Sequence, residues 1–172
     1  SSVARQNPDL INKYYAKIAK TDQDAVTALN TMLAQDGLLV YVPKNVKISR
    51  TVQIINLLRS DVDLMINRRV LIIMEQGAEA KFLFCDHTMD EKKFLATQVL
   101  EAYVGENASL DLYCMEETHE DNRRISNIYV EQLANSRFNH NIITLHNGIT
   151  RNMLNLTFRG EGAECFCNGC VI

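Results

Sequence analysis

The chain has no tryptophan, two prolines and seven glycines in 172 residues. It also has no apolar run near the ~18 residues that a membrane-crossing helix needs. Basic residues are slightly outnumbered, 18 against 21 acidic, for a formal net charge of −3. Arg68-Arg69 and Arg123-Arg124 are isolated pairs rather than a stripe, so no track for neutralising phosphates is present and nucleic acid is not an expected partner. A glycine-rich phosphate loop of the Walker type is missing too, which excludes ATP hydrolysis by that route. The first residues, Ser1 to Gln6, lack the apolar core of a secretion signal. With no such signal, the odd count of five cysteines points to reduced thiols in a cytoplasmic protein rather than disulfides.

What is present suits one packed domain. A hydrophobic fraction of 47% and a charged fraction of 23% are ordinary for a globular chain. At this length, folding buries roughly 70% of the unfolded surface. The start without Met and the apolar finish, Cys167 to Ile172, are expected of an excised internal piece ending on a cut strand.

The opening segment has helical periodicity. Pro8 and Asp9 precede Leu10, Ile11, Tyr14, Tyr15 and Ile18 at helical spacing. Thr21 with Asp24 resembles a capping box for a second helix, and Leu29, Met32 and Leu33 would form its apolar stripe. Gly37 falls where a left-handed C-terminal residue is wanted. From Leu38 the period becomes two: Leu38 to Val42 is a short apolar strand stopped by Pro43, and Val46, Ile48, Val52 and Ile54 alternate with polar residues.

A strand–turn–strand unit then recurs. Its copies are Leu71 to Ala80, Ala102 to Leu110, Tyr129 to Ser136, which has lost its glycine, and Leu156 to Cys165. With alanine as the marker, Ala78, Ala108, Ala134 and Ala163 stand 30, 26 and 29 residues apart. Repetition of this kind, with a small residue at each bend, is expected of a solenoid whose coils stack on one another. Ala80, Phe82 and Phe84, like Leu110, Leu112 and Cys114, would then form ladders inside a tube. Propeller blades of ~40–45 residues are too long for the spacing, while a twisted antiparallel sandwich stays open as an alternative. The expected organisation is a helical lead-in over 1–36 and the truncated N-terminal coils of a β-helix core domain over 37–172.

Three segments resemble the SufB/SufD family of iron–sulfur cluster assembly scaffold proteins. They are Asp36 to Val46, then Asn67 to Ile73 with Glu75 to Glu79, and finally Thr150-Arg151-Asn152 leading into Gly160 to Cys165. They follow the family's order, cover most of the chain after Asp36, and lean towards SufD. The resemblance implies a right-handed parallel β-helix, preceded here by short helices. It also implies partnership with SufB and with the ATPase SufC, which docks on a C-terminal helical region. Nascent clusters are implied to form near the SufB–SufD interface on Cys, Glu and His residues of later coils, beyond this chain, and little of the family's N-terminal helical domain is expected here. No family catalytic, cofactor-binding or metal-ligating residue therefore carries over. The cofactor expectation is none in this chain, with the cluster assembled transiently by the full complex.

The remaining constellations each have a plainer role. Cys165 and Cys167 would face one side of a strand, as soft metal ligands do, and an Asn168-Gly169 turn could return Cys170 to them. Because they continue the inward alternation of Ala163, core packing is the expected role. Cys85-Asp86-His87 is expected to be a loop after a strand, and Glu116-Glu117-Thr118-His119-Glu120-Asp121 a solvated acidic turn. His140 and His146 lie among Asn139, Asn141 and Asn147, which suit polar ladders or turns.

Three functions compete on these residues. One is the scaffold subunit; another is a non-catalytic structural solenoid. The third is a polysaccharide-active β-helix enzyme, disfavoured by the missing tryptophan and by acids gathered in one turn. Self-association of the chain through an uncapped last rung, as a two-fold dimer, is expected beside the SUF partners.

Overall fold

In the computed structural model, residues 5–34 and 36–172 are described. Two short helices, α1 (Pro8–Tyr14) and α2 (Ala25–Leu33), precede ten strands. These are β1 (Asp36–Val42), β2 (Val52–Leu58), β3 (Leu64–Met74), β4 (Glu79–Thr88), β5 (Phe94–Val104), β6 (Ser109–Glu117), β7 (Arg123–Gln132), β8 (Arg137–His146), β9 (Ile149–Phe158) and β10 (Glu164–Val171). Odd-numbered strands form one five-stranded sheet and even-numbered strands another, each in sequence order. Every pairing is parallel. Each strand is thus the crossover between two strands of the opposite sheet, and the chain winds into a parallel β-solenoid. The antiparallel sandwich is excluded.

Alternation puts the apolar residues inside. Leu38, Val70, Leu100, Ile128 and Leu154 stand in register along one lane of the odd sheet, and Val40, Ile72, Ala102, Val130 and Leu156 along the next. Facing them, Ala80, Leu110, Phe138 and Cys165 are in register on the even sheet. All of these belong to one hydrophobic cluster. Full burial of a Leu, Ile or Phe side chain is worth about 1.5–3 kcal/mol, so the stacked lanes supply the bulk of the stabilisation.

The tight corner between each odd strand and the next even one turns on a single left-handed residue. Asn45, Gly77, Asn107, Asn135 and Gly162 have φ of 59°, 68°, 58°, 54° and 70°. Gly and Asn bear this conformation at least cost. The N–H of the first four donates to the next coil: Asn45 to Gln76 O at 2.9 Å, Gly77 to Glu106 O at 2.9 Å, Asn107 to Ala134 O at 3.0 Å and Asn135 to Glu161 O at 2.9 Å. Ala78 and Ala108, each fully enclosed, follow this residue directly. The equivalent residues downstream are Ser136 and Ala163, since Ser109, Arg137 and Glu164 are in register. The marker in the third copy is therefore Ser136 rather than Ala134. A two-residue displacement leaves the inward phase unchanged, so alternation could not reveal it.

The lead-in differs from expectation in three ways. Asp24 is itself the N-cap of α2, its side chain accepting from Thr27 N at 2.7 Å. The buried face of that helix is polar, with Thr27 and Asn30 enclosed while Met32 is 73% exposed. Gly37 lies within β1, where a Cβ would come 2.7 Å from Arg69 O, so close packing rather than helix termination requires glycine. The helices themselves lie against the side of the tube. They cross the outer face of the odd sheet, where Thr27 reaches Tyr129 Oη at 2.9 Å and Asn30 Nδ2 donates to Thr97 Oγ1 at 2.8 Å. Between them, Glu101 is wholly buried and accepts from the amides of Ala16, Ile18 and Ala19 at 2.8, 3.2 and 3.1 Å and from Arg69 at 2.7 Å.

Candidate functional site

The opposite corner of the tube, where even strands lead back to odd ones, is ionic inside. The inward alternation of β4 and β6 ends on Asp86 and Glu116, which are in register. The odd strands begin there with inward Arg68 on β3 and Arg124 on β7. Arg68 grips Asp86 with both terminal nitrogens, at 2.5 and 2.7 Å, and Asn56 Nδ2 adds a bond at 2.8 Å. Arg124 Nε donates to the same carboxylate at 2.9 Å, and its Nη1 to Glu116 and, at 2.9 Å, to Asn152 Oδ1. Glu116 Oε2 further accepts from Thr144 and Thr150 at 3.2 Å each.

Two guanidinium groups and two carboxylates thus neutralise one another out of water. Burial alone would raise the Asp86 carboxyl; the hydrogen bonds and charges of Arg68, Arg124 and Asn56 override it and hold the group below the usual carboxylate range. Arg124, fully enclosed, is kept charged by Asp86 and Glu116 against that same desolvation. His140 sits beside the cluster, its Nε2 3.8 Å from Cys114 Sγ. Burial, then the Arg124 charge, lowers its pKa to about 4, so it is neutral near pH 7. Burial pushes the Cys114 thiol up to about 12.

This corner corrects two expectations. Cys85-Asp86-His87 is part of β4, not a loop: Asp86 points inward, and Cys85 is buried on the outer side between Ile55 and Met115, its neighbours in register. The acidic run is not wholly solvated. Glu116 is 1% exposed and Thr118 is buried, while Glu117 and Glu120 face solvent. The partners of Glu116 come from neighbouring coils, and no local pattern announces them. His140, which is buried within the tube, was likewise hidden in a polar stretch.

The two thiols share the inward face that the alternation implied but are not packed in a core: Cys165 is half-buried and Cys167 is exposed, since β10 is an edge strand among the described residues. Cys165 and Cys167 lie inward on β10 with their sulfurs 3.4 Å apart, and burial, then Cys167, pushes the Cys165 thiol up to about 12. Asn168-Gly169 is strand rather than turn, in register with Asn141 and Ile142, so Cys170 projects to the opposite face. Among the described residues no group of three or more His, Cys, Asp or Glu side chains is placed to hold a metal ion. The expected polar ladders are present outside the tube, Asn139 to Asp111 at 2.5 Å and Asn168 to Asn141 at 3.0 Å. A cavity of about 670 Å³ opens at the ionic corner by the first coils, lined by Ile54, Asn56, Arg68, Phe84 and Gln98 among others. Among the described residues no helix is long and apolar enough to cross a membrane.

The chain is a parallel β-solenoid with an ion-paired interior, its odd sheet covered by its own N-terminal segment. Residues 57–172 match the SUF system FeS cluster assembly SufBD core domain, and residues 1–54 match the SufBD protein N-terminal region. The chain belongs to the SufBD family. The helices and β1 fall within that N-terminal match. Among curated relatives, the iron–sulfur cluster assembly protein SufD of Bacillus subtilis is 32% identical over 111 residues, 63% of this chain and 25% of that protein. An iron–sulfur cluster assembly SufBD family protein of Arabidopsis thaliana is 30% identical over 111 residues, 64% of this chain and 24% of the relative. One of Synechocystis is 30% identical over 111 residues, covering 64% and 23%. The aligned region spans about a quarter of the length of these relatives.

Proposed function

We propose that this chain acts in iron–sulfur cluster assembly as part of a SufD-type scaffold subunit, working with a SufB-like subunit and a SufC-like ATPase in the cytoplasm. The observation that carries this reading is the match of the SufBD core domain along the whole stretch from β3 to β10. The role is non-enzymatic: the titratable groups inside the tube neutralise one another instead of facing a substrate. Affinity purification from the native cell tests it. Recovery of a SufC-like ATPase and a SufB-like protein in stoichiometric amounts is expected, and their absence under gentle extraction contradicts the reading and favours a purely structural solenoid.

The 172 residues on their own bind no cluster. Anaerobic reconstitution with iron and sulfide should leave them colourless, whereas a stoichiometric cluster lost on replacing Cys165 and Cys167 by Ser would overturn this. The edges of β9 and β10 carry no further strand among the described residues, and Phe166 and Val171 are exposed there. Open strand edges invite pairing, so the isolated chain forms a two-fold dimer. Light scattering during size exclusion should give twice the chain mass.

A further inference from the structure

Between β8 and β9 the chain turns on two residues, Asn147 and Gly148. Glycine is forced at the second: a Cβ there would lie 2.1 Å from Glu120 O and 2.3 Å from Asn122 O, both main-chain atoms. At the first, the side-chain amide is held in place. Asn147 Oδ1 accepts from Thr118 Oγ1 at 2.7 Å and from the Gly148 N–H at 2.8 Å. Nδ2 donates to Thr150 Oγ1 and, at 3.5 Å, to Glu116 Oε2. Among the described residues no main-chain carbonyl takes the Gly148 N–H. The Gly148 nitrogen therefore rests against the amide of the residue before it, whose carbon is one bond from Oδ1.

We propose that Asn147 is a site of spontaneous deamidation that acts on the ionic corner. Solvent hydroxide removes the Gly148 amide proton, and the nitrogen attacks Asn147 Cγ to close a five-membered succinimide. The Cγ–Nδ2 bond breaks and ammonia leaves, taking its extra proton from water. Water then opens the ring at either carbonyl, giving aspartate or isoaspartate; nothing is oxidised or reduced. The hydrogen bond to Oδ1 keeps the Gly148 nitrogen beside the amide group it attacks, which lowers the entropic part of such a barrier, and the Thr118 hydroxyl supports the charge that develops on Oδ1. Either product puts a new carboxylate beside buried Glu116, which loses the Nδ2 donor and gains a like charge. Isoaspartate also lengthens the main chain at the tightest return in the solenoid.

Asn168-Gly169 is the internal comparison. There the pair lies within β10, in register with Asn141 and Ile142, so its backbone is held extended in a sheet instead of in a turn.

The test is incubation of the native chain at mildly alkaline pH, followed by peptide mapping and enzymatic labelling of isoaspartate. The expected result is a gain of about 1 Da in the peptide holding Asn147, ahead of any change at Asn168, faster as pH rises and abolished by Asn147→Gln. An Asn147→Asp chain should melt below its parent. First modification at Asn168 overturns the proposal. So does an unmodified Asn147 in the folded chain under conditions where the urea-unfolded chain reacts there. An Asn147→Asp chain that melts no lower than its parent overturns the link to Glu116.

Discussion

The two corners of the tube solve the same stacking problem with different chemistry. At the tight corner every coil turns on one left-handed residue, the small residue after it is enclosed in the middle coils (Ala78, Ala108 and Ser136), and the neighbouring interior is apolar. At the return corner no described residue is left-handed, and the interior holds Arg68, Asp86, Arg124 and Glu116 in mutual contact. A tight turn repeated in register can be packed by shape alone. A return without that turn is held from inside instead, by paired ions with their amide and hydroxyl partners. Stability should therefore respond to shape at one corner and to charge balance at the other.

The largest break of that comparison is Arg124→Met. It leaves two buried carboxylates without their shared cation, and stripping one partner from a buried pair costs about 3–5 kcal/mol. Urea unfolding should show a lower midpoint at unchanged slope; a loss under 1 kcal/mol, as an exposed pair gives, would mean that the corner is wet. At the tight corner, Ala108→Leu should cost about 1–3 kcal/mol by overpacking the bend, measured in the same way. Asn107→Ala, which keeps the size small but must hold a positive φ, should cost about 1–2 kcal/mol. Equal losses for a β-branched and an unbranched residue at position 107 would argue that backbone conformation is not what selects asparagine there.

A finer probe is pH. His140 stays neutral in the folded chain down to about 4, whereas an unfolded histidine titrates near ~6.5. The unfolded state takes up that proton first, so stability falls as pH drops from about 6.5 to about 4. Asp86 is held below the usual carboxylate range by Arg68 and Arg124, so its contribution is present above about pH 4 and is lost below it. Replacing His140 by Gln should flatten the upper part of the profile and leave the acid limb; urea midpoints across pH 3 to 8 would show whether it does.

The tight corner was legible in the sequence and the return corner was not. Gly77 and Gly162 announce their turns, and Ala80, Phe82, Leu110 and Leu112 alternate as inward ladders should. Even so, Asn135 took over the left-handed place of a glycine, and that hid Ser136 as the third marker. Asp86, Glu116 and Arg124 are partners across coils, so nothing in their own neighbourhoods distinguishes them from solvated charge. The polar buried face of α2 escaped for the same reason, since the Thr27 hydroxyl and the Asn30 Nδ2 find their partners, Tyr129 and Thr97, far along the chain.

Deletion of the gene that encodes this chain in its own cell tests the functional account most directly, with the activity of iron–sulfur enzymes as the readout under iron limitation. The account predicts that these activities fall while the polypeptides persist, and that they return with a copy of the gene. Unchanged activities in the deletion cells, with no second SufBD protein to compensate, would contradict it.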